Sequence, residues 1–281
     1  MLINKHLEFE DLYSFWAYAF QESRARRRDS RYDSPSDWNG NVSWEATKEL
    51  AIRGWDEGLD EIDKLAAEIS PQITDKVIKA TPKYQVAGYN VDVGRYLSGD
   101  PECFQVKNAE VDVGVGKVVT LVCSISFSCV ITASVIIQRG AMICALVDAL
   151  EAAGNRVEVV CNDASSYLGN SASRSGENKS SGWFEVDVCV KKPEEALNMI
   201  ELAFCLAHPA MLRRMMFSAA ELEGWSDFTP RYGKPAQATQ KGDLYIEEVF
   251  SGIVSNNKAI AWVLEQLKQM GVNIETCDLQ G

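Results

Sequence analysis

Residues 117–127 read "KVVTLVCSISF", and this run decides the architecture. Val118, Val119, Leu121, Val122 and Cys123 follow one another with almost no polar interruption, and most are β-branched. A strand that alternates faces with solvent cannot be this apolar, so the run predicts a strand buried on both faces, the signature of a parallel sheet. Residues 134–154, "SVIIQRGAMICALVDALEAAG", are long enough for a helix, and Gly154 stands where a helix C-terminus uses glycine. "RVEVVCND" at 156–163 then gives a second strand. Strand, helix and strand in that order make a parallel crossover unit.

The pattern continues downstream. "WFEVDVCV" (183–190) and "DLYIEEVF" (243–250) read as strands. Pro193 suits the first turn of a helix over "PEEALNMIELAFCLA", and Pro209 separates it from a helix over "AMLRRMMFSAAELEG". "NNKAIAWVLEQLKQMG" (256–271) places Ile260, Val263, Leu264 and Leu267 on one helical face, and "VNIETCDL" follows as a last strand. The fold class is therefore α/β: a mostly parallel sheet flanked on both faces by helices, Rossmann-like or von Willebrand A-like in order.

Upstream, the reading is helical. "FEDLYSFWAYAF" spaces Phe9, Leu12, Trp16 and Phe20 by three and four, and Ser43 caps "WEATKELAIRGW". Residues 1–80 are expected to form a helical N-terminal region, and 81–281 the α/β core. Two long polar stretches, 162–182 and 225–242, are expected to be loops, which at that length inside a domain carry function or stay disordered.

Composition narrows the function classes. The chain has 281 residues, 46% hydrophobic and 24% charged, with 28 Lys+Arg against 40 Asp+Glu and a formal charge of −12. The longest apolar stretch, Val118–Ile137, is interrupted by Ser, Cys and Thr before Gln138–Arg139, which argues against a membrane span. Glu8, Glu10 and Asp11 occupy the place where a signal peptide needs apolar residues, so the expected compartment is the cytoplasm. The eight cysteines sit mostly inside apolar runs and none are spaced C-x-x-C, which predicts buried, reduced thiols. With only His6 and His208 besides, no metal or other cofactor is expected.

Catalytic signatures are absent. "GVGK" at 114–117 precedes a strand instead of opening a helix and lacks the following Ser or Thr, so it reads as a turn. "CSISFSCVITAS" (123–134) lies at the strand-to-helix junction where the von Willebrand A fold holds a metal through Asp-x-Ser-x-Ser. Here Ser124 stands in place of the aspartate, ahead of Ser126 and Ser128, so the anionic ligand is missing. His208, at the end of an apolar helix, reads as a packed or capping residue. The chain is expected not to be an enzyme.

One stretch runs against the acidic whole. "SRARRRDSRY" (23–32) gathers Arg24, Arg26, Arg27, Arg28 and Arg31. These charges repel unless neutralised by acid of the same chain, by a partner's acidic face, or by a nucleic acid backbone. Tyr32 and Trp38 follow, and a second basic-aromatic group, Arg231, Tyr232 and Lys234, lies in the 225–242 loop. Arginine interleaved with aromatics suits a single strand, with guanidiniums on phosphates and rings on bases. These ten residues are the candidate DNA-binding set.

The strings "DWNGNVSWEATKELAIRGWDEGLDEI", "YQVAGYNVDVGRYLSGDPECF" and "RGAMICALVDALEAAGNRVEVV" resemble a family found in phages and mobile elements, over most of the chain from Trp38 onward. Within phages that package a virion RNA polymerase, the chain resembles a single-stranded-DNA-binding transcription cofactor. That resemblance implies a non-enzymatic protein of the host cell cytoplasm that binds single-stranded DNA and recruits a phage-encoded RNA polymerase, with no membrane and with self-association open. The alternative is a metal-free von Willebrand A-like protein-interaction module.

Overall fold

The computed structural model describes residues 2–22, 29–60, 62–64, 67, 83–88, 90–106, 117–168, 181–229, 232–247 and 256–270. Its centre is the unit expected from the sequence. Strand β5 (Val118–Ser124) leads into helix α4 (Ala133–Ala152), which returns the chain to β6 (Arg156–Leu168), parallel to β5. Gly154 closes α4 at φ +89, a left-handed conformation that glycine adopts without a Cβ penalty. Strand β9 (Leu244–Ile246) pairs parallel with β5 on its other side.

The sheet is mixed, in the order β1 (Leu2–Phe9), β7 (Ser181–Lys191), β6, β5, β9, with a short strand β8 (Lys234–Pro235) also on β6. Strand β7 (Ser181–Lys191) runs antiparallel to β6, not parallel as an unbroken alternation of strands and helices implies. The cause is local: residues 162–168 and 181–182, read as part of a loop, extend both strands and shorten the connection between them, and short connections favour antiparallel pairing.

The N-terminus departs further from expectation. Leu2–Phe9 forms strand β1, paired parallel with β7 from Leu2↔Ser181 to Phe9↔Val188. The described start of the region 1–80 is thus not helical: Leu2–Phe9 is an edge strand of the main sheet among the described residues. Helix α1 (Leu12–Ala19) then appears as predicted, capped by Asp11, whose side chain accepts from the Ser14 N–H at 2.7 Å. Ser43 caps α2 (Trp44–Arg53) by accepting from Ala46 N–H at 3.1 Å.

Alternation explains where the core lies. Leu121, Cys123, Val157, Val159, Cys161, Phe184, Val186, Val188, Leu244 and Ile246 share one face of the sheet and one hydrophobic cluster with the helices. Helix α4 packs there on α5 (Met199–Ala207) and on α8 (Asn256–Gln269). A Cβ on Gly140 would lie 2.2 Å from the Ala207 Cα, so glycine sets how closely α4 and α5 approach. Helix α4 is long and apolar enough to cross a membrane by composition, but 72% of its most apolar window is buried within the fold, the place of a core helix.

The opposite face carries Thr120, Ser124, Glu158, Asn162, Glu185, Asp187, His6 and Glu8. Among the described residues it is crossed by an extended segment instead of a helix: Thr239 donates to Glu185 (2.9 and 2.8 Å) and Asp243 N–H to the Thr120 carbonyl (2.9 Å). Helices on both faces, as expected, are therefore not found among the described residues.

Pro193 lies in a turn, and α5 starts six residues later at Met199. His208 ends α5 in an extended conformation, and Met211–Met216 forms a π-helix continuous with α6 (Phe217–Leu222) and a short helix α7 (Trp225–Phe228). Residues 83–106 build a small sheet of β2 (Lys83–Gln85), β4 (Phe104–Val106) and β3 (Asn90–Val91), with the short helix α3 (Val93–Leu97) between its strands. Gly114–Gly116 of the predicted turn and the predicted strand at 272–279 lie outside the described residues.

Candidate nucleic-acid interface

Ligands of α/β sheets gather at the carboxyl ends of the parallel strands, where the chain turns away and leaves a crevice. Here a cleft of about 680 Å³ opens beyond β5 and β6. Ser126, Phe127 and Ser128 come from the turn after β5, and Asp163, Ser165 and Tyr167 from the extension of β6; Arg213 and Phe217 come from the π-helix and α6, Trp38 from the N-terminal segment, and Tyr232 and Lys234 from the β8 stretch. A larger, shallower groove between α1 and residues 195–201 is lined by apolar side chains together with Asp11, Lys192, Glu195, Asn198 and Glu201, and shares no residue with this cleft.

The π-helix explains how the N-terminal segment is held. Its adjacent arginines are both buried, Arg213 at 1% and Arg214 at 0% exposure. Arg213 donates to the carbonyls of Trp38 and Ile131, the latter at 2.6 Å, and its guanidinium lies 4.6 Å from the Trp38 ring centre. Arg214 donates to the carbonyls of Ser30 (2.7 Å), Asp33 (2.9 Å) and Val42 (2.6 Å). Desolvation lowers both guanidinium pKa values, that of Arg213 to about 10. Wide π turns often occur at functional positions, and this one points two cations at the backbone of residues 30–42.

A buried carboxylate completes the clamp. Glu221 on α6 accepts from the Ser30 N–H at 2.7 Å and from the Tyr232 hydroxyl. Burial raises its carboxyl to about 7. Tyr232 also stacks on Phe217 with ring centres 3.8 Å apart. Residues 225–229 and 232–235 are therefore anchored: Trp225 is buried and its Nε1–H donates to Ser165 Oγ (2.9 Å) and to the Tyr232 carbonyl (3.0 Å).

The floor is polar. Ser126 Oγ donates to Asp163 Oδ1 at 2.7 Å and accepts from the Ala164 N–H at 2.8 Å. Burial raises the Asp163 carboxyl to about 6, partly offset by the Ser126 bond.

The ten predicted residues divide. Trp38, Tyr232 and Lys234 come together on the cleft. Trp38 is half-buried and Lys234 exposed, while Tyr232, 6% exposed, is tied to Glu221 and is a wall more than a free stacking face. Tyr32 is 85% exposed. Arg31 does not face a groove: Asp29 neutralises it through Nε (2.8 Å) and Nη2 (2.5 Å), and Nη1 donates to the Gln21 carbonyl. Arg24, Arg26, Arg27, Arg28 and Arg231 lie outside the described residues. Sequence reasoning missed Asp163, Arg213 and Phe217. The strand-end position of Ser126 was the available signal, because Asp163 ends the neighbouring strand expected from the sequence, 156–163.

His208 is packed, as expected. It sits between Trp55 and Phe204 and accepts the Ala210 N–H at Nδ1 (3.1 Å), and burial lowers it to about 4. Seven cysteines are described and free; Cys129 is exposed, Cys189 intermediate and the other five buried. The metal-capable group among the described residues is His6, Glu8 and Asp187 on the polar face of the sheet. His6 Nε2 and Asp187 Oδ2 already pair at 2.8 Å, so a cation would have to part them.

The family model described as "Domain of unknown function (DUF7192)" covers residues 4–274. No curated protein and no solved structure matches the chain. Because that match takes in both the edge strand β1 and the helix α8, with the cleft between them in sequence, the chain belongs to the DUF7192 family.

Proposed function

We propose that this protein binds single-stranded DNA across the mouth of the cleft and is a binding protein, not an enzyme. One observation carries the reading: the aromatic residues Trp38, Tyr167 and Phe217 line the cleft together with Lys234, and Trp38 belongs to the segment whose start, Asp29, directly follows the arginine run 24–28. A single strand offers unstacked bases to such walls and phosphates to such cations, whereas a duplex keeps its bases inside. The acidic floor at Asp163 repels phosphate, so the backbone belongs on the rim and a base belongs in the cleft. Recruitment of a phage-encoded RNA polymerase is the part of the proposal that rests on resemblance, and co-purification with that polymerase tests it.

Fluorescence anisotropy with a labelled 12-nucleotide strand, over a series of salt concentrations, tests the DNA reading. Log K should fall linearly with log salt, by about 0.7 per phosphate contact. Wild-type protein that fails to bind at low salt would sink it.

A second reading has its own support. Ser126 and Ser128 sit at the carboxyl end of β5 beside Asp163, where a von Willebrand A-like order places its ligand site. In that reading the cleft rim takes a protein partner, and the same assay shows no strand binding.

A further inference from the structure

Asp163 is the one acidic side chain lining the cleft among the described residues. It is 6% exposed, and its Oδ1 is occupied by the Ser126 hydroxyl. That hydroxyl spends its only proton on Asp163 and accepts from Ala164, so it cannot turn to serve a ligand as donor. The carboxylate is thus fixed in orientation, and Oδ2 has no hydrogen-bond partner among the described residues. The cationic neighbours do not reach it: Arg213 is committed to the carbonyls of Trp38 and Ile131. Phe127, Trp38, Tyr167 and Phe217 line the same space. A flat ring held between those faces meets a single oriented acceptor at its edge.

On the basis of the single-strand reading above, we infer that the cleft selects bases bearing an exocyclic amino group, of the cytosine and adenine class, and rejects thymine. The amino group donates an N–H to Asp163 Oδ2, a charge-assisted bond. At the position of the amino group thymine presents its O4 carbonyl, lone pair against carboxylate, and its one donor, N3–H, lies one ring position away, so a ring held in the same pose does not meet Oδ2 with a donor. One free oxygen suits one amino group better than the two-donor edge of guanine. The specificity is a difference of affinities, with attraction for one class and repulsion of the other. Because burial holds the Asp163 carboxyl near 6, it is the ionised acceptor at pH 7.5.

The experiment compares binding of labelled 12-mers of dC and of dT to the full-length protein at pH 7.5. Wild type should prefer dC by on the order of tenfold, the worth of one hydrogen bond to a charged group. Asp163→Asn keeps an acceptor for Ser126 and turns a donor toward the cleft, so the preference should vanish or invert in favour of dT. Trp38→Ala should weaken both strands alike. Equal wild-type affinity for dC and dT, or a preference for dC unchanged in Asp163→Asn, overturns the inference while leaving strand binding intact. If neither strand binds, the single-strand reading fails, and melting temperatures with millimolar cytidine or thymidine decide the cleft separately. Greater stabilisation by cytidine supports the inference, and equal or absent stabilisation ends it. The wild-type comparisons hold even if Asp163→Asn does not fold.

Discussion

Arg31 turns back on Asp29, two residues before it, and meets both carboxylate oxygens, Nε to Oδ1 at 2.8 Å and Nη2 to Oδ2 at 2.5 Å. Both side chains are mostly covered, at 10% and 15% exposure. The last arginine of the cluster is therefore neutralised within the chain, and it stiffens the turn that Arg214 and Glu221 hold.

Arg31→Ala should leave strand affinity and its salt slope unchanged and cost about 1 kcal/mol of stability. Replacing Arg26, Arg27 and Arg28 by Ala should weaken binding and flatten the slope by about 0.7 per lost contact. Trp38→Ala should cost about 1–3 kcal/mol of binding with the slope kept, since stacking releases no counterion. A triple variant that binds as tightly as wild type assigns the arginines another role.

Glu221 should make stability depend on pH. Its carboxyl is raised from 4.5 to about 7 in the fold, chiefly by burial. Between those values the folded state keeps a proton that the unfolded chain has released, so this group's contribution falls as pH rises. Glu221→Gln removes that loss, and its stability relative to wild type should rise by on the order of 2–3 kcal/mol between pH 4.5 and 7.5. Urea denaturation of both proteins at each pH gives the difference. The difference matters because His208, lowered to about 4, gives both proteins the opposite slope below pH 6.5. A difference that stays flat across this range removes the buried-carboxylate account.

Gly140→Ala should destabilise by about 2–3 kcal/mol. The new methyl would fall 2.2 Å from Ala207 Cα, 2.4 Å from its Cβ and 2.4 Å from the Leu206 carbonyl, and backbone cannot swing aside as a side-chain end can. A denaturation midpoint equal to wild type would mean that α4 and α5 pack farther apart.

Thiol labelling should separate the described cysteines by place. Cys129 should react fast, Cys189 slowly, and Cys103, Cys123, Cys144, Cys161 and Cys205 only after denaturation. Burial also raises the Cys123 thiol to about 12 and holds Cys161 and Cys205 high, which removes the reactive thiolate. Since Cys129 lines the cleft, a bound 12-mer should slow its labelling. Mass mapping of modified peptides reads both results, and fast native labelling of Cys161 would contradict the core described above.

What the sequence determined by itself was the unit from Val118 to Asp163. The continuous apolar run of β5, the length of α4, the glycine at its end and the β-branched start of β6 are local signals, and local signals report local structure. The alternation in "LINKHLEF", polar at Asn4, His6 and Glu8 against Leu7 and Phe9, was equally legible as a strand. A helical spacing that began at Phe9 concealed it, and its partner β7 lies more than 170 residues away. The tertiary structure alone decided the cleft. Trp38, Asp163, Arg213 and Lys234 share no sequence neighbourhood, and Arg213 and Arg214 end on backbone carbonyls, acceptors that every residue carries and no sequence pattern marks. The same physics explains the arginine run. Charge clustering is visible in a sequence, but whether a charge is already paired, as Arg31 is by Asp29, depends on how the chain turns.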